Sequence, residues 1–104
     1  MISFLKNIFK SKPPVDYKVL LKNGAQLIDV RTPVEYKVGH LKGAVNIPLQ
    51  QLQSNVSKIR KDKPVITYCA SGMRSSSAKS LLVSKGFKEV YNGGGYHHLE
   101  NKIR

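Results

Sequence analysis

The chain has 104 residues, 40% of them apolar and 23% charged, and a single cysteine, Cys69. That suffices for one core made of a sheet and a few helices; it excludes two separate cores, a disordered or collagen-like chain and an intrachain disulfide framework. Eighteen Lys and Arg against six Asp and Glu give a formal charge of +12, a surface that concentrates anions, but the basic residues are spread rather than blocked and no nucleic-acid-binding motif accompanies them.

Residues 1–14 read as a basic amphipathic N-terminal segment. Ile2, Phe4, Leu5, Ile8 and Phe9 recur at near-helical spacing among Lys6, Lys10 and Lys12, and Pro13-Pro14 stops any helix. No apolar run reaches the ~20 residues of a membrane span, and the cleavage site of a secretory signal is missing. Two turns of helix are marginal alone, so the segment is expected either to pack on the domain or fray, or to make weak, salt-sensitive contact with a membrane surface or a partner through residues 1–12.

Residues 15–104 read as one domain of alternating helices and strands. Asp16 caps a helix whose Tyr17, Leu20 and Leu21 share a face, and Gly24 ends it. Residues 26–30 form a short buried-strand pattern. Thr32-Pro33-Val34-Glu35 is a capping box with proline at the first helical position, opening a short helix that ends by Gly39. Residues 44–47 are a second strand, and Leu49, Leu52, Val56 and Ile59 mark one helix face. A third strand, 65–68, runs into Cys69-Ala70-Ser71-Gly72-Met73-Arg74, and a helix follows from about Ser75 to Lys85, burying Ala78, Leu81 and Leu82. Residues 89–91 are a last strand, Gly93-Gly94-Gly95 a loop, and 96–102 a final helix. This order predicts an α/β fold, a small parallel sheet of four or five strands with helices on both faces.

The chemistry concentrates at the third strand. Ligand sites in open parallel sheets lie beyond the carboxyl ends of the strands, where Cys69 falls. The small residues Ala70, Ser71 and Gly72 let successive backbone N–H groups turn inward as an anion nest. The following helix N-terminus adds partial positive charge, and Arg74 a full one. All three favour thiolate over thiol, so Cys69 is expected to titrate below the ordinary thiol range. A bare cysteine at a strand end is usually a small buried hydrophobe; this loop context argues for a nucleophile.

The stretch Cys69-Ala70-Ser71-Gly72-Met73-Arg74-Ser75 resembles the active-site loop of single-domain rhodaneses, the persulfide-forming sulfurtransferases. Three further segments resemble that family in order and spacing: Leu27-Ile28-Asp29-Val30-Arg31, residues 39–48 from Gly39-His40 to Pro48, and Gly86-Phe87 leading to Val90-Tyr91-Asn92-Gly93-Gly94. The resemblance covers about residues 15–103. It implies that Cys69 takes sulfur from a small anionic donor such as thiosulfate and passes it to a thiol or protein acceptor. The amides of 70–74 would then hold the persulfide, with Arg74 assisting anion binding or ordering the loop. A non-catalytic sulfur-carrier or protein-interaction module is the alternative. Cysteine phosphatases place five residues between cysteine and arginine; here four intervene, a loop that suits one sulfur atom better than a phosphate. The family often has a basic residue after the cysteine, where this chain has Ala70.

Other residues read as supports. Asp29 and Arg31 are expected to pair in the interior, and His40 and Asn46 to orient neighbouring loops. His97-His98 lack further ligand spacing, so no metal is expected, and the sulfur cycle implies no organic cofactor. The glycine run lacks the lysine of a phosphate loop and reads as a tight backbone passage beside Cys69. A cytoplasmic monomer without specific nucleic-acid binding is expected, the lone cysteine suiting a reducing compartment.

Overall fold

The structure, a computed structural model, describes residues 14–104; the amphipathic segment falls outside the described residues except for Pro14. In chain order it contains α1 (Tyr17–Lys22), β1 (Gln26–Asp29), α2 (Pro33–Val38), β2 (Val45–Asn46), α3 (Leu49–Leu52), a 3-10 helix (Gln53–Lys58), β3 (Val65–Cys69), α4 (Met73–Ser84), β4 (Val90–Gly95) and α5 (Tyr96–Ile103).

The caps form as their sequences require. Asp16 accepts the Val19 N–H at 3.1 Å, and Gly24 turns the chain at φ +99. Thr32 and Glu35 exchange both bonds of the capping box, with Pro33 in the first turn.

Three elements depart from the sequence reading. The single helix expected over Leu49–Ile59 is α3 followed by 3-10 turns. Within it Ser54 Oγ and Asn55 Nδ2 both donate to Gln51 O, competing with the α ladder, while the three-residue spacing still buries Leu52 and Ile59. The helix after the cysteine starts at Met73, two residues early, because Gly72 adopts φ +105 and its carbonyl accepts the Ser76 N–H at 3.1 Å. The glycine run is strand rather than loop. A Cβ on Gly93 would meet Leu99 Cδ2 at 2.8 Å and Thr67 O at 2.9 Å, so the closeness of the neighbouring backbone overrides glycine's poor strand propensity.

The four strands are all parallel, in the order β2-β1-β3-β4. Central β3 is buried at every residue, as a strand covered on both faces must be. Its side chains alternate between two cores. One holds Val65 and Cys69 with Leu52 of α3, Ile59 just past the 3-10 helix, and Ala78 and Leu82 of α4. The other holds Ile66 and Tyr68 with Leu99, packed against residues of α1, α2 and α5. The chain leaves β1 toward β2 and then returns past it to β3, so the crossover direction reverses between β1 and β3. That switch point brings the carboxyl ends at Asp29 and Cys69 side by side.

Candidate active site

Cys69 is the last residue of β3, 1% exposed, and its Sγ faces the start of α4. The N–H groups of Gly72 and Ser75 donate to Sγ at 3.0 and 3.3 Å. The left-handed turn at Gly72 swings the loop inward, and the first turn of α4 supplies the second donor, so nest and helix terminus act on the same atom. Ser75 Oγ lies 3.4 Å from Sγ. Burial pushes the Cys69 thiol up, but the hydroxyl and N–H of Ser75 and the N–H groups of Gly72 and Ser71 outweigh it, leaving the thiol below its ordinary range.

A second tier fixes these donors. Asn92 Oδ1 accepts the Ser75 hydroxyl at 2.6 Å and the Gly94 N–H at 3.0 Å, and its Nδ2 donates to Gly72 O at 3.3 Å. Beyond Asn92 the ladder slips. Thr67 pairs with Asn92 and Cys69 with Gly95, so three residue steps on β4 face two on β3, a bulge that Gly94 accommodates at φ +88. Gly95 then runs so close to the loop that a Cβ would sit 2.7 Å from Ala70 O.

Ala70, Ser71 and Met73 are exposed on the outer side of the loop. The Arg74 side chain forks onto Glu35 of α2, with Nη1–Oε1 at 2.7 Å and Nη2–Oε2 at 3.0 Å. Arg74 and the Thr32 amide hold the Glu35 carboxyl down to about 2.

The supports fall in two groups. Buried Asp29 accepts the Arg31 backbone N–H at 2.9 Å and Nη2 at 2.7 Å. Arg31 also donates to Gly39 O at 2.6 Å and lies over the ring of Tyr96 at 4.7 Å. Asn46 Nδ2 ties Asp29 O to Arg31 O at 2.9 and 3.0 Å. These three come together beside the loop, whereas His40 stays exposed, stacked on Tyr36 at 3.6 Å. A cavity of about 300 Å³ opens beside the loop, lined by Arg31, Glu35, Val38, Gly39, Ala70, Tyr96 and His97. A larger depression of about 620 Å³ lies between α1, Lys42 and Ile103 and includes no residue of the loop. His97, at the edge of the cavity, and His98 are exposed, and among the described residues no three His, Cys, Asp or Glu side chains converge.

The family model of the rhodanese-like domain matches residues 14–101. The chain belongs to that family. It is 48% identical over 81 residues to the uncharacterized protein YqhL of Bacillus subtilis, covering 77% of this chain and 64% of that protein, so it spans about two-thirds of that relative. It is 30% identical over 99 residues to the thiosulfate sulfurtransferase GlpE of Pseudomonas aeruginosa, covering 95% of this chain and 90% of that one. Among solved structures, a rhodanese with anions from E. coli superimposes with a TM-score of 0.69 at 35% identity, covering 72% of this chain and 91% of that chain. A human single-domain sulfurtransferase, TSTD1, superimposes at 0.69 with 28% identity, covering 88% and 97%. The sulfurtransferase names of these relatives place the domain in a sulfurtransferase family.

Three residues of this rhodanese-like domain escaped the sequence reading as parts of the site. Ser75 is visible only as the residue closing the loop motif, although its position on the first turn of a helix starting at Met73 puts its backbone N–H on Sγ and its hydroxyl oxygen within reach of the thiol. Glu35 was legible as a helix cap, but nothing local links it to Arg74, 39 positions on. Asn92 carried one signal, a side chain able to bond nearby backbone just before three glycines.

Proposed function

We propose that the domain moves sulfane sulfur from a donor such as thiosulfate to a thiophilic acceptor through a persulfide on Cys69. The Cys69 thiolate attacks the outer sulfur of thiosulfate. The donor's S–S bond breaks and sulfite departs with the bonding pair, leaving Cys69 as a persulfide. A thiolate of a small molecule or of a protein then attacks the outer sulfur, and Cys69 leaves as thiolate, the form it started in. Both halves need a stabilised thiolate, and the second needs the outer sulfur held in place.

The observation that carries this reading is the pair of N–H donors, Gly72 and Ser75, on the buried Sγ. They favour thiolate without requiring a metal or organic cofactor. The loop also has one residue fewer between cysteine and arginine than a phosphatase loop, which supports a single-sulfur occupant. A reducing cytoplasm would keep Cys69 ready for turnover. The test is mass spectrometry after mixing with thiosulfate or another sulfane donor. Cys69 is expected to gain one sulfur, lost again on adding cyanide or dithiothreitol, and Cys69→Ser to gain none. Sulfur transfer at full rate by Cys69→Ser, or robust hydrolysis of an aryl phosphate by the unaltered protein, overturns the proposal.

One observation favours a second reading, a carrier that exchanges sulfur only within a complex. Ala70 supplies no cation to a donor, and both arginines beside the loop are engaged by carboxylates. Turnover by the isolated protein separates the two readings.

A further inference from the structure

We propose that Glu35 is a specificity-determining residue: by covering the Arg74 guanidinium and holding its own carboxylate at the mouth of the Cys69 loop, it makes the site discriminate against doubly charged anions relative to singly charged sulfur carriers. This rests on the reading of Cys69 as the sulfur-carrying residue and adds to it which donors the mouth prefers.

The geometry gives Glu35 two tasks at once. Its Oε1 accepts the Thr32 N–H at 3.0 Å and Thr32 Oγ1 at 3.1 Å, closing the cap of α2. The same carboxylate takes the Arg74 fork at 2.7 and 3.0 Å. The bidentate geometry leaves Arg74 little freedom to turn toward a ligand. Both side chains still reach solvent, Arg74 at 36% and Glu35 at 33% exposure, so an arriving anion meets the pair and not a free cation. Glu35 lines the cavity that also contains Ala70, which places its negative charge where a donor would stand. The one arginine that lines the cavity itself, Arg31, is paired with buried Asp29 and further tied to Gly39 O. Among the described residues lining that cavity, no arginine or lysine is left without a carboxylate partner. The attraction left for an anion comes from backbone N–H groups, which hold one sulfur well and a second charge poorly.

Charge decides the expected pattern. Neutralising Glu35 uncovers one positive charge, and the resulting gain in attraction scales with the charge on the ligand. The fold-change for a monoanion is therefore the square root of that for a dianion. Glu35→Gln is a suitable variant because glutamine also closes a capping box, so α2 keeps its start.

The experiment has two independent readouts. Sulfate, a dianion that cannot donate sulfur, is titrated as a protectant of Cys69 against the neutral alkylating agent iodoacetamide, with chloride as the monoanion. In Glu35→Gln the half-protecting sulfate concentration is expected to fall about fivefold and that of chloride about twofold, the size of one uncovered charge at a half-exposed site. In turnover, kcat/KM for thiosulfate is expected to rise by the same factor, and kcat/KM for a singly charged alkyl persulfide by its square root. A second substitution, Arg74→Gln, added to Glu35→Gln is expected to remove the gain. Equal changes for both charge types, no change, or a gain that survives the double substitution overturns the proposal. Tighter anion binding is not a result that mere damage to the fold produces. If the unaltered protein gains no sulfur from any donor, the transfer reading falls, while sulfate protection still decides the role of Glu35.

Discussion

Gly95→Ala tests whether the tight passage of β4 sets the active-site loop. Gly95 has φ −81 and ψ 155, extended backbone open to alanine, so the substitution adds a methyl group and no conformational strain. That methyl would stand 2.7 Å from Ala70 O, whereas ordinary contact begins at 3.4 Å, so the loop or the strand must yield by 0.7 Å. The obstruction is backbone, which cannot swing aside. Overpacking of this kind costs about 1–3 kcal/mol, or a fall in Tm of roughly 5–15 °C for a domain of this size. The loop pressed by that methyl carries the Gly72 and Ser75 donors at 3.0 and 3.3 Å from Sγ. A misplacement approaching 1 Å costs up to about 100-fold in rate, so a loss of about 10- to 100-fold in kcat is expected. Gly93→Ala is the comparison. Its methyl would press on Leu99 Cδ2 at 2.8 Å and Thr67 O at 2.9 Å, inside the sheet and not on the backbone of residues 70–72. Sulfur transfer and iodoacetamide reactivity are read well below the Tm of each variant. Gly93→Ala is expected to lose stability and keep most of its activity, and Gly95→Ala to lose activity beyond its loss of stability. Equal activity losses in the two, or full activity in Gly95→Ala, would refute the idea that strand proximity shapes the loop.

Two further substitutions probe the tiers around Sγ. Ser75→Ala removes a hydroxyl that lowers the Cys69 thiol, so the midpoint of alkylation rate against pH should move up toward the ordinary thiol range, and the thiolate fraction at neutral pH should fall; an unmoved midpoint would assign the effect to the backbone N–H groups alone. Asp29→Asn leaves Arg31, itself only 7% exposed, charged and without its carboxylate. The expected loss is about 3 kcal/mol in chemical denaturation, and a loss near zero would show that Gly39 O and the flanking tyrosine rings suffice to hold the guanidinium.

The sequence made legible what local chemistry decides. The Asp16 cap, the Thr32–Glu35 box and the strand-to-loop transition at Cys69 each depend on residues within a few positions of one another, and each forms as read. What the sequence hid depends on partners brought near only by the fold. The strand order places Asp29 beside Cys69, and nothing in either segment states that β1 neighbours β3. Gly93-Gly94-Gly95 read as a loop because glycine weakens strands. Its side-chain-free backbone is instead what lets β4 approach Thr67 and Ala70, and that pressure comes from residues more than 20 positions away. The start of α4 was misplaced for a related reason. Met73 and Arg74 look like loop residues until Gly72 takes its left-handed turn, and the shift of two positions makes Ser75 a first-turn residue facing Sγ.

One wall of the cavity beside the Cys69 loop depends on the short helix α2. Six residues cannot hold a helix in water by propensity. Three polar ties fix α2 and its exit over the carboxyl end of the sheet: Arg74 to Glu35 at its first turn, Arg31 to Gly39 O at its end, and Tyr36 Oη donating to Ala44 O at 2.6 Å. Each tie reaches a different neighbour, the active-site helix, the end of β1 and the approach to β2. The wall that α2 presents to a donor is therefore set jointly with the position of the loop, and the charge at the mouth is set by the same bonds that hold the wall. The +12 of the chain acts at longer range, raising the concentration of anions of every kind near the surface and falling off with salt. At the mouth that general attraction meets arginines already paired with carboxylates, and backbone N–H groups that face a single buried sulfur.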